Sequence, residues 1–325
     1  MADFDAIPII DVSSLGGSGR ANGRRACGKS IGEACRNVGF FYVVNHGVDA
    51  DLVRETFALA REFFALPLEE KMAVAMKRSP WFRGYFPLGG ETTDPEVGAD
   101  PKEGFDISLE LPPSDLERAP FAHLRGPNQW PARPVLMRPV FSAYYEALSD
   151  LGRRLSLAFA LALDLPETFF ASRLDHPTAI LRVLHYPPRT NLPDMATLPD
   201  VGCGAHSDYG YLTILAQDEV GGLQVQNRAA KWIDAVPLPG SFVCNIGEMM
   251  ARWTNDRFRA TQHRVIGRHA GSRYSVPFFF HPNPEVMIDC LPGCLAQGEP
   301  RKYPPIQSGA HLESRLREGY GQAVS

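Results

Sequence analysis

Between residues 178 and 281 the chain breaks into short β-prone runs closed by turns, and that rhythm limits its fold more than any other feature. Runs at 180–186, 206–215, 222–226, 232–236, 241–246, 260–266 and 273–280 carry β-branched and aromatic residues, with Gly, Pro, Asn and Asp between them. Many short strands joined this way make a sandwich or a barrel, and a double-sheet jelly roll fits the count. The text before them is different. Residues 7–12 and 40–44 read as strands, and 20–37, 49–65 and 68–76 read as helices. The longest helical pattern is 134–163, where Val140, Phe141, Tyr144, Leu148, Leu151, Leu155 and Phe159 form an apolar stripe expected to pack on the core. The expected class is mainly β with flanking helices (α+β): a double-stranded β-helix, or jelly-roll, core with an N-terminal α/β extension.

The expected organisation has four parts. Residues 1–133 form an N-terminal region that ends in a loop-rich segment, 77–133, where Gly and Pro are frequent and apolar periodicity is weak. Long loops in compact domains are often lids or binding segments. Residues 134–175 supply scaffold helices, 176–285 the jelly-roll core, and 286–325 a tail with a helix over 308–318.

His206-Ser207-Asp208 opens the second strand-like run. Side chains two apart on an extended strand point the same way, so this imidazole and carboxylate can reach one metal ion. The spacing alone is weak. With 9 His and 37 Asp+Glu in 325 residues, an acid falls two after a histidine about once by chance. It does so again at His311-Leu312-Glu313, in a polar helical tail where residues two apart diverge. His263, within Ala260-Thr261-Gln262-His263-Arg264-Val265, offers a third ligand. Two histidines and one carboxylate leave open coordination positions, a pattern suited to oxygen-activating non-heme Fe(II).

Bulk properties exclude several classes. A net charge of −4 gives no reason to expect nucleic-acid or anionic-membrane partners. The longest apolar run, 155–163, is too short to span a bilayer. The acidic start, Met1-Ala2-Asp3-Phe4-Asp5, has no basic or apolar signal region. Six cysteines without a Cys-x-x-Cys pair read as reduced thiols, so a cytoplasmic protein is expected and a cysteine zinc site is not.

In this frame several motifs line up. His206-x-Asp208, His263, and Arg273-Tyr274-Ser275 ten residues later are arranged as in Fe(II)/2-oxoglutarate-dependent dioxygenases. The chain most resembles the isopenicillin-N-synthase-like branch. Val44-Asn45-His46-Gly47, Arg83-Gly84-Tyr85, Leu184-His185-Tyr186-Pro187-Pro188 and Gly221-Gly222-Leu223-Gln224-Val225 extend the resemblance over nearly the whole chain. It implies Fe(II) held by His206, Asp208 and His263, with 2-oxoglutarate and O2 as cosubstrates. Arg273 and Ser275 face one way on a predicted strand, and a guanidinium fork beside a hydroxyl suits a carboxylate. The resemblance makes that the distal carboxylate of 2-oxoglutarate, with Tyr186 adding a phenolic hydrogen bond. His46, His123, His176, His185, His269, His281 and His311 are expected not to be ligands, with His185 nearest the site.

The resemblance implies hydroxylation of a small molecule, with release of succinate and CO2. Substrate contacts are expected from Arg83, Tyr85, Phe86, Phe105 and Asp106, with Tyr211 pointing inward or lying in the core. Arg83 and Asp106 suit a polar or zwitterionic compound: an amino acid, a nucleobase or another small metabolite. The chain looks more like microbial hydroxylases of small polar compounds, thymine-7-hydroxylase-like proteins among them, than like plant flavonoid enzymes. Alternatives are a same-fold Fe(II) oxidase that does not use 2-oxoglutarate, a 2-oxoglutarate-dependent desaturase or ethylene-forming enzyme, and a binding scaffold. The sequence is silent on oligomeric state and on whether 77–133 closes over the site.

Overall fold

The computed structural model describes residues 3–17, 19–110, 121–188, 200–267 and 271–320. The N-terminal part contributes β1 (Ile9–Asp11), α1 (Ala21–Asn37), β2 (Phe40–Val44), α2 (Ala50–Phe64), α3 (Leu68–Ala73), β3 (Gly84–Phe86) and β4 (Glu103–Ser108). The long helix α4 (Met137–Ala162) follows. Then come β5 (Thr178–Tyr186), β6 (Val201–His206), β7 (Leu212–Gln217), β8 (Leu223–Gln226), β9 (Trp232–Asp234) and β10 (Phe242–Ile246). The short helix α5 (Glu248–Trp253), β11 (His263–Ile266), β12 (Arg273–His281), β13 (Met287–Ile288), β14 (Ile306–Gln307) and α6 (Ser308–Tyr320) complete the order.

Two sheets face each other across a cavity, as the jelly-roll expectation requires. One has eight strands in the order β1-β2-β10-β7-β12-β5-β4-β3, and the other has four in the order β6-β11-β8-β9. The cavity takes Leu184, Tyr186, Arg273 and Ser275 from the first and Cys203, His206, Leu223 and His263 from the second. The pleat divides each strand between two tasks. On β12, Val276, Phe278 and Phe280 enter the core under the helices, while Arg273, Ser275, Pro277, Phe279 and His281 line the cavity. On β5, Ala179, Leu181 and Val183 face the helices, and Ile180, Arg182, Leu184 and Tyr186 face the cavity.

Helix α4 covers the outer face of the large sheet. It brings Tyr145 edge-on to Phe278 at 5.2 Å and Phe159 of the apolar stripe edge-on to Tyr211 at 5.7 Å. Gly152 lets the helix settle onto the sheet, since a Cβ there would lie 2.7 Å from the Phe280 ring. No helix among the described residues is long and apolar enough to cross a membrane. The six cysteines are unpaired.

Two sequence expectations are corrected. The run at 206–215 is two strands in different sheets: β6 ends at His206 and β7 begins at Leu212. Between them the carbonyls of Asp208, Tyr209 and Gly210 accept from the first amides of α5, Glu248 and Met249, at 2.8–3.2 Å. This backbone caps a helix that the apolar periodicity of the sequence does not reveal, and so leaves the ladder. The segment 77–133 is less loop-like than its Gly and Pro content suggests, because β3 and β4 extend the large sheet beside β5.

A candidate metal and ligand site between the sheets

His206 and His263 are directly opposed across β6 and β11. Their ring centroids lie 4.2 Å apart. Asp208 sits in the crossover turn just beyond β6, so the triad does not depend on alternation along one strand. Its Oδ1 lies 3.8 Å from His206 Nε2 and 3.6 Å from His263 Nε2. The three donor atoms all lie within 4.8 Å of one another, a spacing that could hold a metal ion.

The surroundings fix which atoms converge. His206 Nδ1 donates to Gly204 O at 2.8 Å and His263 Nδ1 donates to Thr261 O at 3.2 Å. Both imidazoles thus present the Nε2 lone pair inward. Asp208 Oδ2 accepts from Thr213 Oγ1 at 2.5 Å and from Asn245 Nδ2 at 2.6 Å, which turns Oδ1 toward the histidines. Burial opposes the Asp208 charge, but His263, His206 and these two hydrogen bonds outweigh it and hold the carboxyl below its usual range. Burial, with His206 beside it, pulls the His263 imidazole down to about 4. A charged carboxylate and a neutral imidazole are the forms that bind a divalent cation. Two nitrogens and one oxygen on one side of such an ion leave its other positions open, which fits Fe(II).

The cavity beside the triad is about 160 Å³. Arg273 is buried in its wall, with Nη1 donating to Ser275 Oγ at 3.2 Å, Nε donating to Gly221 O, and the guanidinium 4.7 Å from the Tyr186 ring centroid. Arg273 and Tyr186 are register partners on β12 and β5. Among the described residues Arg273 forms no ion pair, so the guanidinium retains donors for an anionic ligand.

Farther along β5 the wall becomes a charged network. Arg182 donates to Asp106 through Nε at 2.9 Å and Nη2 at 2.8 Å, and to Glu91 through Nη1 at 2.8 Å. Lys102 Nζ lies 3.0 Å from Glu91, 2.8 Å from Asp100 and 3.2 Å from Cys203 Sγ. Burial works against the Glu91 charge, and Arg182 and Lys102 overcome it, so the carboxyl stays well below its ordinary range. Tyr186 and Arg182 are four residues apart on β5, about 13 Å at strand rise. The two ends of the cavity are therefore distinct.

The residues expected to contact substrate are mostly elsewhere. Arg83 is buried away from the cavity, its Nη atoms donating to the carbonyls of Trp81, Phe82 and Leu124 while Nε has no hydrogen-bond partner among the described residues. Tyr85 donates to Glu103 Oε2 at 2.6 Å. Phe105 packs on Phe63 at 5.0 Å in the core under the helices. Phe86 stands behind the wall with Leu184 and Tyr186, and Asp106 reaches the cavity only through Arg182. His185 points out of the cavity, stacked on Tyr274 and bonded to Glu103 and Ser272. His281 takes the inward position instead. Tyr211 is core, and His269 lies outside the described residues.

Sequence reasoning missed Thr213, Asn245, Arg182, Glu91 and Lys102. Three carried a signal. Thr213 and Asn245 are polar residues inside apolar strands, and Arg182 is in phase with Leu184 and Tyr186.

Comparisons with known proteins align with this geometry. Residues 7–133 match the family described as non-haem dioxygenase in morphine synthesis N-terminal, and residues 177–282 match the 2OG-Fe(II) oxygenase superfamily. The 2-oxoglutarate-Fe(II) type oxidoreductase hxnY of Emericella nidulans is 36% identical over 322 residues, covering 98% of this chain and 91% of that protein. A homoarginine-6-hydroxylase of Oryza sativa, 2-ODD-233, is 34% identical over 327 residues, covering 97% and 98%. The crystal structure of a full-length Neurospora crassa protein in complex with alpha-KG and thymine superposes with a TM-score of 0.83 at 32% identity, covering 96% of each chain.

Proposed function

This chain belongs to the 2OG-Fe(II) oxygenase superfamily, and on that premise we propose how its residues divide the work. The enzyme is a non-heme Fe(II)- and 2-oxoglutarate-dependent oxygenase that hydroxylates substrate and releases succinate and CO2. His206, Asp208 and His263 hold the iron in this proposal. Bound there, iron supplies oxygen activation coupled to decarboxylation of 2-oxoglutarate.

Arg273 and Ser275 anchor the distal carboxylate of 2-oxoglutarate, and the Tyr186 ring backs the guanidinium. Thr213 and Asn245 keep Asp208 Oδ1 aimed inward. The observation that carries this assignment is the convergence of two Nε2 atoms and one carboxylate oxygen in the same cavity as a buried arginine that has no ion-pair partner among the described residues.

The prime substrate in this reading is a small polar molecule the size of an amino acid or nucleobase. Named activities of relatives support that class, since they include homoarginine hydroxylation, and the Neurospora crassa protein has been crystallised with thymine. The wall made by Arg182, Glu91 and Lys102 offers donors and acceptors at the far end of the cavity from Arg273. Cosubstrate and substrate can then be bound together.

The test is an anaerobic titration of the apoprotein with Fe(II) and then 2-oxoglutarate, read by visible absorbance. A charge-transfer band that needs both components, and is lost in Asp208→Ala, is expected. Iron binding with no band on adding 2-oxoglutarate would reject the Arg273 assignment. Succinate release across a panel of amino acids and nucleobases then identifies the substrate.

A further inference from the structure

A second, larger cleft of about 1000 Å³ opens on the other side of the triad turn. It shares only Ser207 with the catalytic cavity. Six arginines and two carboxylates line it, on a chain whose overall charge is −4. Both carboxylates are already engaged. Glu248 accepts from Ser207 Oγ at 2.7 Å and pairs with Arg315. Asp256 pairs with Lys302 at 3.0 Å and accepts from Tyr303 at 2.9 Å.

That leaves Arg36, Arg228, Arg252, Arg257 and Arg259. Among the described residues none of the five forms an ion pair with a carboxylate. Each gives hydrogen bonds to main-chain carbonyls: Arg36 to Ala162, Arg228 to Arg36, Arg252 to Pro304, Arg257 to Gly293 and Arg259 to Asn37. The nearby Asp3 carboxylate is occupied by the backbone amides of Arg228, Ala229 and Phe4. A guanidinium carries five N–H donors, so most of the donor capacity of this cleft is unspent. Arg252 Nε is buried and has no hydrogen-bond partner among the described residues.

We propose that this cleft binds a small multivalent anion, a phosphate ester or a polycarboxylate, at a site separate from the cosubstrate pocket. The planar guanidinium fork matches phosphate and carboxylate equally, and several forks in one cleft favour a ligand with more than one anionic group. The ligand lies one ion pair from the triad. Ser207 stands between two of its members, and Glu248 links Ser207 to Arg315. Helix α6 is the wall between the two spaces, with Leu312 and Leu316 toward the cavity and His311 and Arg315 toward the cleft.

The test is calorimetric titration of the anaerobic Fe(II)- and 2-oxoglutarate-loaded protein at low salt. One arm uses fructose 1,6-bisphosphate and the other tricarballylate, with fructose as the uncharged control. The expected result is saturable 1:1 binding of at least one probe, weakened about tenfold or more in Arg252→Glu/Arg257→Glu and unchanged in Arg273→Ala. The arm that binds more tightly identifies the anion source. Should the double charge reversal fail to fold, Arg36→Gln/Arg228→Gln removes charge from the other residues of the set and must weaken binding as well. No saturable binding of either probe overturns the proposal. So does binding that survives the folded variants, or that disappears with Arg273.

Discussion

His206 and His263 face each other across the β6–β11 ladder with both Nε2 atoms within 4 Å of one Asp208 oxygen. The pair is held by strand register and the third ligand by a turn. His263→Ala should therefore remove iron binding and turnover while leaving the fold intact, because the ring is replaced without touching the ladder. Metal analysis beside circular dichroism checks this. An iron-replete, active variant would refute the triad.

Arg273→Ala should raise the KM for 2-oxoglutarate by about two orders of magnitude or more, given about 1.5–3 kcal/mol for each charge-assisted hydrogen bond. Iron affinity should hardly move, since Arg273 touches no member of the triad. Steady-state kinetics and an iron titration on the same preparation separate the two effects. An unchanged KM would mean that the carboxylate docks elsewhere.

Asn245→Ala and Thr213→Val each remove one of the two hydrogen bonds that hold Asp208 Oδ2. The carboxylate can then rotate, and iron affinity should fall about 10- to 100-fold. Activity should recover at saturating Fe(II), which distinguishes loss of aim from loss of a ligand. Competition with a metal-sensitive chelating dye reads the change.

Glu91 is mostly buried between two cations. Its folded pKa is depressed below the ordinary 4.5 although burial opposes this, because Arg182 and Lys102 prevail. A depressed carboxyl contributes stability that is present above the unfolded pKa and lost as pH falls toward the folded one. Glu91→Gln should cost about 1–3 kcal/mol near neutral pH, less than breaking an isolated buried pair because Arg182 keeps Asp106 and Lys102 keeps Asp100. The gap in Tm between wild type and variant should narrow below about pH 4.5. A gap that stays constant into acid would show that Glu91 contributes through packing.

The sequence was readable where function and strand period coincide. Arg273 and Ser275 share a face of β12 as alternation requires, whereas His206 and Asp208 stand out as a pair although Asp208 lies in the turn beyond β6. The substrate contacts were misjudged for a geometric reason. Tyr85 and Phe105 are register partners on β3 and β4, and both face the helices. On a strand a one-residue error in phase moves a side chain to the opposite face. Without the neighbouring strand nothing local reveals which face is inward. Glu91 and Lys102 were invisible for another reason. Their meeting with Arg182 depends on long-range placement of the chain around β3 and β4, and no nearby periodicity encodes it. Conversely, Asn245 could have been found: an amide in Phe242-Val243-Cys244-Asn245-Ile246 must have a buried partner.

Strand β12 interleaves two populations of side chains, one against the helices and one in the cavity. Saturation mutagenesis of 273–281 should therefore yield a comb. Substitutions at Val276, Phe278 and Phe280 would lower the amount of protein that accumulates, while those at Arg273, Ser275 and Phe279 would lower output per molecule. Selection can then retune what the enzyme acts on without first drawing down its stability, because the two traits are written in alternate letters of the same strand.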